Sequence, residues 1–124
     1  MCNKKNNFND ILEKIIILQQ NRKSNLIGCN KPFLGNNNEI IANTRPLNLY
    51  CCCTNSIWTM DYTFNGTSGS SSTFRIESLN NNIATFRILI NENNIITSTN
   101  NYFTINLEYI SCIKCLEDTF IELN

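Results

Sequence analysis

The chain contains no histidine. That absence removes the usual general base, the Ser-His and Cys-His nucleophile pairs and the commonest metal ligand. Catalysis is therefore not expected, and no cofactor is called for. Charge is also scarce. Only 16% of the 124 residues are Asp, Glu, Lys or Arg, and ten basic residues balance ten acidic ones. No basic patch stands out and no acidic tail is present, so a nucleic-acid partner is not expected. No apolar run approaches the length of a membrane span. A secretory leader is not expected either. Lys4 and Lys5 lead into a mixed amphipathic segment, not into an apolar run that ends in small residues.

What the chain has instead is asparagine and cysteine. Twenty-four residues are Asn, which leaves solubility to amides and hydroxyls. A zero net charge favours association, although a codon bias toward Asn would explain the composition equally well. Seven residues are Cys, an odd number, so one thiol per chain has no internal partner. A chain without a leader is made in a reducing cytosol, yet this cysteine content suits an oxidising compartment. Metal binding, a redox role or later exposure to oxidant would each account for it.

The length is that of one domain. We divide it into an N-terminal arm, 1–28, and a β domain, 29–124, whose strand 46–53 is rich in cysteine. Phe8, Ile11, Leu12, Ile15, Ile16 and Leu18 recur at helical spacing, which predicts a helix from about Phe8 to Arg22, capped by Asn6 or Asn7. Its stripe has two uses open to it, packing on its own domain or docking on a neighbouring subunit. Turn signals at Pro32 to Gly35 and at Asn43 to Pro46 follow. Pro46 biases Arg45 toward extended backbone. Arg45 is expected to be structural, bonding loop carbonyls or a carboxylate such as Glu39.

From Pro46 the period becomes two. One face of the next strand carries Leu47, Leu49, Cys51 and Cys53, the other Asn48, Tyr50 and Cys52. A further strand is expected around Trp58 and Met60, then a polar loop from Asn65 to Ser72. Thr73–Leu79 and Ile83–Ile90 flank Asn80-Asn81-Asn82. A three-residue hairpin there pairs Leu79 with Ile83, which sets Phe74 against Ile88 and Ile76 against Phe86. Glu77 and Arg87 become diagonal neighbours on the other face. Ile95–Thr99 and Tyr102–Cys112 are expected to form a second hairpin across Asn100-Asn101, with Phe103, Ile105, Leu107 and Tyr109 inward. A last strand is expected in Ile113–Leu123. The fold class is thus mainly β, an antiparallel β-sandwich or jelly-roll-like barrel preceded by one amphipathic helix.

The cysteines resist a zinc reading. A Cys112-x-x-Cys115 knuckle normally pairs with another of its kind, and a contiguous triplet on a strand is not one. A thioredoxin-like motif needs a helix start that this context lacks. Cys51, Cys53 and Cys115 are expected to be mostly inward, as small apolar side chains. Cys112 has no clear place and joins them as a buried or paired candidate. Cys2 and Cys29, in polar segments, and Cys52, on the polar strand face, are the candidates for bonds between chains.

Pro32-Phe33-Leu34-Gly35, Ala42-Asn43-Thr44-Arg45-Pro46 and Leu49-Tyr50 follow one another in order. Further on come Phe74-Arg75-Ile76-Glu77-Ser78, Ala84-Thr85-Phe86-Arg87-Ile88-Leu89, Thr104-Ile105-Asn106-Leu107 and Cys115-Leu116-x-Asp118. Over roughly residues 10–121 this pattern resembles the CotY/CotZ/ExsY family of bacterial spore coat and exosporium proteins. The chain is shorter than that family's pattern and carries fewer cysteines, so no disulfide pairing is carried over. The resemblance implies a structural protein that is made in the mother-cell cytoplasm. It would self-assemble around the spore, with copies of itself and other spore coat proteins as partners, into a disulfide-reinforced lattice. It also explains the compartment: the thiols meet oxidant only when the mother cell lyses. A small binding module, using a face around Trp58, Tyr62 and Tyr102, and a cysteine metal or redox protein are the competing readings.

Overall fold

A computed structural model describes residues 8–20 and 42–123. The turn at Pro32 and Gly35, Glu39, Cys2, Cys29 and the capping residues Asn6 and Asn7 lie outside the described residues. Helix α1 spans Phe8–Gln20, close to the expected element. Seven strands follow: β1 Leu47–Cys51, β2 Met60–Phe64, β3 Thr67–Ser71, β4 Thr73–Asn80, β5 Ile83–Glu92, β6 Ile95–Asn106 and β7 Ile110–Cys115. The fold class is as the sequence predicts, mainly β and antiparallel, sandwich-like behind one helix.

The main sheet has five strands in the order β6-β5-β4-β1-β7, and β2 and β3 form a separate hairpin. The apolar face of the main sheet gathers Leu47, Leu49, Phe74, Ile76, Phe86, Ile88 and Ile105 into one core. Phe103 meets Phe74 edge-on at 4.9 Å and stacks on Phe86 at 5.5 Å. Leu12 and Ile15 of α1 are buried in the same cluster, each contributing roughly 1.5–3 kcal/mol. Leu12 and Ile15, with Phe8 and Ile16 beside them, therefore pack on the chain's own sheet, whereas Ile11 and Leu18 of the expected stripe are exposed. Gln19, also buried, fixes the end of the helix by donating to Ile76 O at 3.1 Å and accepting from Arg45 N at 3.0 Å.

The register of β4 and β5 is the expected one where it matters for the core. Phe74 faces Ile88, and Ile76 faces Phe86. Near the turn it differs by one residue. Leu79 pairs with Ala84 instead of Ile83, and Glu77 is left unpaired as a bulge. The cause is the turn itself. It has two residues, Asn81 and Asn82, both left-handed with φ of 50° and 75°, and the bulge absorbs the difference.

Three further expectations are corrected. The run from Asn65 to Ser72 is not a loop. Asn65 and Gly66 turn with φ of 52° and 79°, and Thr67–Ser71 returns as β3. An Asn-Gly pair is a strong hairpin signal, and ladder hydrogen bonds need no apolar side chains. The second hairpin of the main sheet turns at Asn93 and Asn94 instead of Asn100-Asn101, which lie within β6. Lastly, Tyr102–Cys112 is broken after Asn106. Asn106 Oδ1 accepts from Glu108 N at 2.9 Å and caps the 3-10 turn Leu107–Tyr109, which turns Tyr109 out to solvent.

The expected last strand, Ile113–Leu123, is two pieces. β7 ends at Cys115, and 116–123 runs on as a strap over the polar side of the sheet. It starts with Leu116 N donating to Pro46 O, pairs Thr119 with Thr44, and reaches β6 where Ser98 Oγ donates to Glu122 O at 2.8 Å. The turn residue Asn43 is buried beneath it and grips Ile121 with both ends of its amide, Nδ2 to the carbonyl and Oδ1 from the N–H, each at 3.0 Å. Pro46 is fully buried beside it.

Candidate functional site: the thiol-bearing side of the sheet

Strand β1 carries Leu47 and Leu49 inward because its alternation matches the core face. Its neighbour β7 lies along it in antiparallel register, Leu47 opposite Cys115, Leu49 opposite Ile113 and Tyr50 opposite Cys112. The pairing then slips, and Cys51 faces Ile110 with Ser111 bulged out. Five of the seven cysteines thus belong to two neighbouring strands at one edge of the sheet, three at the end of β1 and two along β7.

Cys51 is the last residue of β1 and is half-buried. The backbone then turns back on itself. Asn55 N donates to Cys51 O at 2.7 Å and Cys51 N donates to Ser56 O at 2.9 Å, while Asn55 takes a φ of 61°. Cys52 N donates to Tyr109 O at 2.8 Å, clipping the turn to the 3-10 segment. The sulfur of Cys51 faces the backbone N–H groups of Cys53 and Thr54, and these donors hold its pKa below the ordinary thiol value. Cys53 is exposed, its sulfur 3.9 Å from that of Cys52.

The structure corrects the expectation for Cys53 and Cys115. Both are exposed and free, as is Cys112. Alternation along β1 does not reach Cys53, because the strand ends two residues earlier. Cys115 follows the inward phase of Leu47 but sits where β7 gives way to the strap, at the rim of the core. Partial burial still raises its pKa, against the pull of Arg45. Cys112 and Cys115, three apart on a strand, lie on opposite faces. Cys52 is engaged and is not among the free thiols. Among the described residues, no three His, Cys, Asp or Glu side chains gather as a metal cluster.

Beside Cys115, Arg45 meets Asp118 of the strap through two parallel bonds, Nε to Oδ1 at 2.6 Å and NH2 to Oδ2 at 2.8 Å. The pairing raises the Arg45 pKa further. A carboxylate partner was expected, and Asp118 supplies it. Glu77 and Arg87 meet as the expected diagonal pair, but the larger network through Arg75 was not foreseen. Arg75 is buried and donates to Thr44 Oγ1, Asn43 O and Glu77 Oε2. Arg87, also buried, joins the same Glu77 oxygen and reaches Thr99 O. The alternating Arg75 and Glu77 were the available signal, since the core register places Arg87 directly opposite Arg75.

The aromatic face proposed for a binding module is divided. Trp58 and Tyr62 are partly buried against the core, whereas Tyr102 is exposed with the Arg87 guanidinium 4.8 Å from its ring centre. Tyr62 lies over Gly69, where any Cβ would meet the phenol oxygen at 2.7 Å. An open groove beside it is lined by Asp61, Thr63, Ser70 and Asn101.

The fold and this site together define a β-sheet domain with free, solvent-facing thiols on and beside its last strand. No family model, curated protein or solved structure matches the chain.

Proposed function

We propose that this chain is a structural protein of the bacterial spore surface, coat or exosporium, that assembles with copies of itself into an ordered lattice reinforced by disulfides. The observation that carries the reading is the exposure of Cys53, Cys112 and Cys115 as free thiols along the β1–β7 edge of the sheet. Buried thiols would serve packing; exposed ones on a rigid strand are placed to meet a neighbour. The resemblance at Asn43-Thr44-Arg45-Pro46 and Phe74-Arg75-Ile76-Glu77-Ser78 supports it, and so does the zero net charge. Synthesis in the mother-cell cytoplasm and association with other spore coat proteins belong to the same proposal.

Assembly precedes cross-linking in this scheme, because the cytosol keeps thiols reduced while the layer forms. Many weak contacts set the geometry, and oxidation then makes it irreversible. The bonds between chains are assigned to Cys53, Cys112 and Cys115; Cys2 and Cys29 remain candidates outside the described residues. Electron microscopy and light scattering of the purified chain test the reading. Regular sheets, fibres or closed particles are expected. Reductant should leave them intact but fragile. A variant with Cys53, Cys112 and Cys115 changed to Ser should assemble, yet dissolve in hot detergent without reductant. A stable monomer at high concentration under oxidising conditions overturns the proposal. The groove beside Tyr62 favours a second reading, a small binding module, which predicts such a monomer.

A further inference from the structure

Strand β7 is one edge of the main sheet, and the direction of its backbone groups is fixed by its bonds to β1. Leu116 N donates to Pro46 O at 2.8 Å, one step beyond the Leu47–Cys115 pair. Antiparallel pairs alternate between bonded and unbonded, so Lys114 with Asn48 and Cys112 with Tyr50 are the bonded pairs. The far side of β1 agrees. Leu49 O accepts from Trp58 N and Cys51 N donates to Ser56 O, both away from β7. Ile113 and Cys115 therefore turn their N–H and C=O groups outward, where no hydrogen-bond partner meets them among the described residues. The opposite edge is guarded. The Asn101 amide of β6 accepts from Thr63 N at 3.2 Å and donates to Thr63 O at 2.9 Å, and Ser98 ties β6 to the strap. Head-to-tail addition of β7 onto β6 of another copy meets both of these.

We propose that β7 is the docking edge for a second copy of this chain, the two β7 strands pairing antiparallel about a two-fold axis and joining two five-stranded sheets into one. The proposal rests on the self-assembly reading and names its first contact. A strand edge that offers both donors and acceptors is complementary to its own antiparallel copy. Outward groups must meet outward groups, so Ile113 faces either itself or Cys115 of the partner subunit. Facing Cys115 would set the two Lys114 ammonium groups directly opposite each other, which repels. Facing itself sets Lys114 opposite Cys112 of the partner subunit, and buries further an Ile113 that is only partly covered by its own core. The contact is non-covalent and forms in reductant.

Amide hydrogen exchange, resolved to single residues, tests this on the full chain in reductant at low and high protein concentration, with sedimentation alongside. The Ile113 and Cys115 amides should exchange fast in dilute solution and slow about tenfold once chains pair. Those of Cys112 and Lys114 should stay protected throughout. Ile113→Pro removes an outward N–H and no bond to β1, so it should fold yet stay monomeric where the parent pairs. Ile113→Val keeps the N–H and should pair like the parent. Should the proline variant not fold, the concentration dependence in the parent decides. If assemblies form while Ile113 and Cys115 still exchange fast, or if a folded Ile113→Pro pairs like the parent, the β7 contact is wrong and self-assembly stands. A parent that is monomeric at every concentration overturns both.

Discussion

Arg75 and Arg87 stand directly opposite each other across β4 and β5, and both donate to a single oxygen, Glu77 Oε2, at 2.7 and 2.9 Å. Two like charges in adjacent cross-strand positions repel, and both residues are buried, 8% and 7% exposed. The bulge at Glu77 supplies the one carboxylate that joins them.

Removing that carboxylate should therefore be costly. Glu77→Gln leaves two buried cations facing each other, with an expected loss of about 2–4 kcal/mol. Urea denaturation measures it. A shift below about 0.5 kcal/mol would show that Asn43, Thr44 and Thr99 satisfy the arginines by themselves.

Arg45→Ala should cost much less, because its pair with Asp118 is 34% and 45% exposed. About 0.5–1 kcal/mol is expected, shrinking in high salt. Arg45→Lys keeps the charge but loses the parallel bonds, so it should fall between the two. Equal melting of parent and Arg45→Ala at low salt would make Arg45 a solvated surface residue.

The turn at Asn93 and Asn94 gives a paired test. Both residues are left-handed, with φ of 54° and 68°. Asn94→Gly should be neutral or slightly stabilising, whereas Asn94→Val should cost roughly 1–3 kcal/mol. Asn100→Val, within β6 and exposed, should be tolerated. If the two valine variants lose equal stability, the placement of the turn is wrong.

This difference shows where the sequence is readable. Apolar alternation in Phe74–Ile76 and Phe86–Ile88 located the core register, because slipping by one would turn Arg75 into the apolar core and away from its polar partners. The helix was legible for the same reason. Turns were not, since 24 asparagines supply many residues able to adopt left-handed backbone, and only pairing decides which of them do. Cysteine exposure failed for a third reason. Alternation describes a strand interior, and Cys53 and Cys115 sit at strand ends, where burial depends on what the chain does next.

Cys115 should also mark the alkaline limit of stability. Its pKa is raised in the folded state, chiefly by burial. Folding therefore favours the protonated thiol, and this contribution is full below the unfolded thiol pKa and fades as pH rises through the folded one. Cys115→Ala should flatten the decline in melting temperature at alkaline pH. An unchanged slope would place the titration elsewhere.

The strap couples residues that a ribosome delivers far apart. Asn43 and Thr44 emerge early, yet the backbone groups of Thr119 and Ile121 that they bond come some 75 residues later. Arg75 waits too, since its acceptors are Asn43 and Thr44 themselves. The sheet can begin to pair while translation continues, but its polar side closes only when Glu122 has cleared the exit tunnel. Nascent chains stalled short of that point should be cut readily by protease near residues 42–46. Chains released in full should resist.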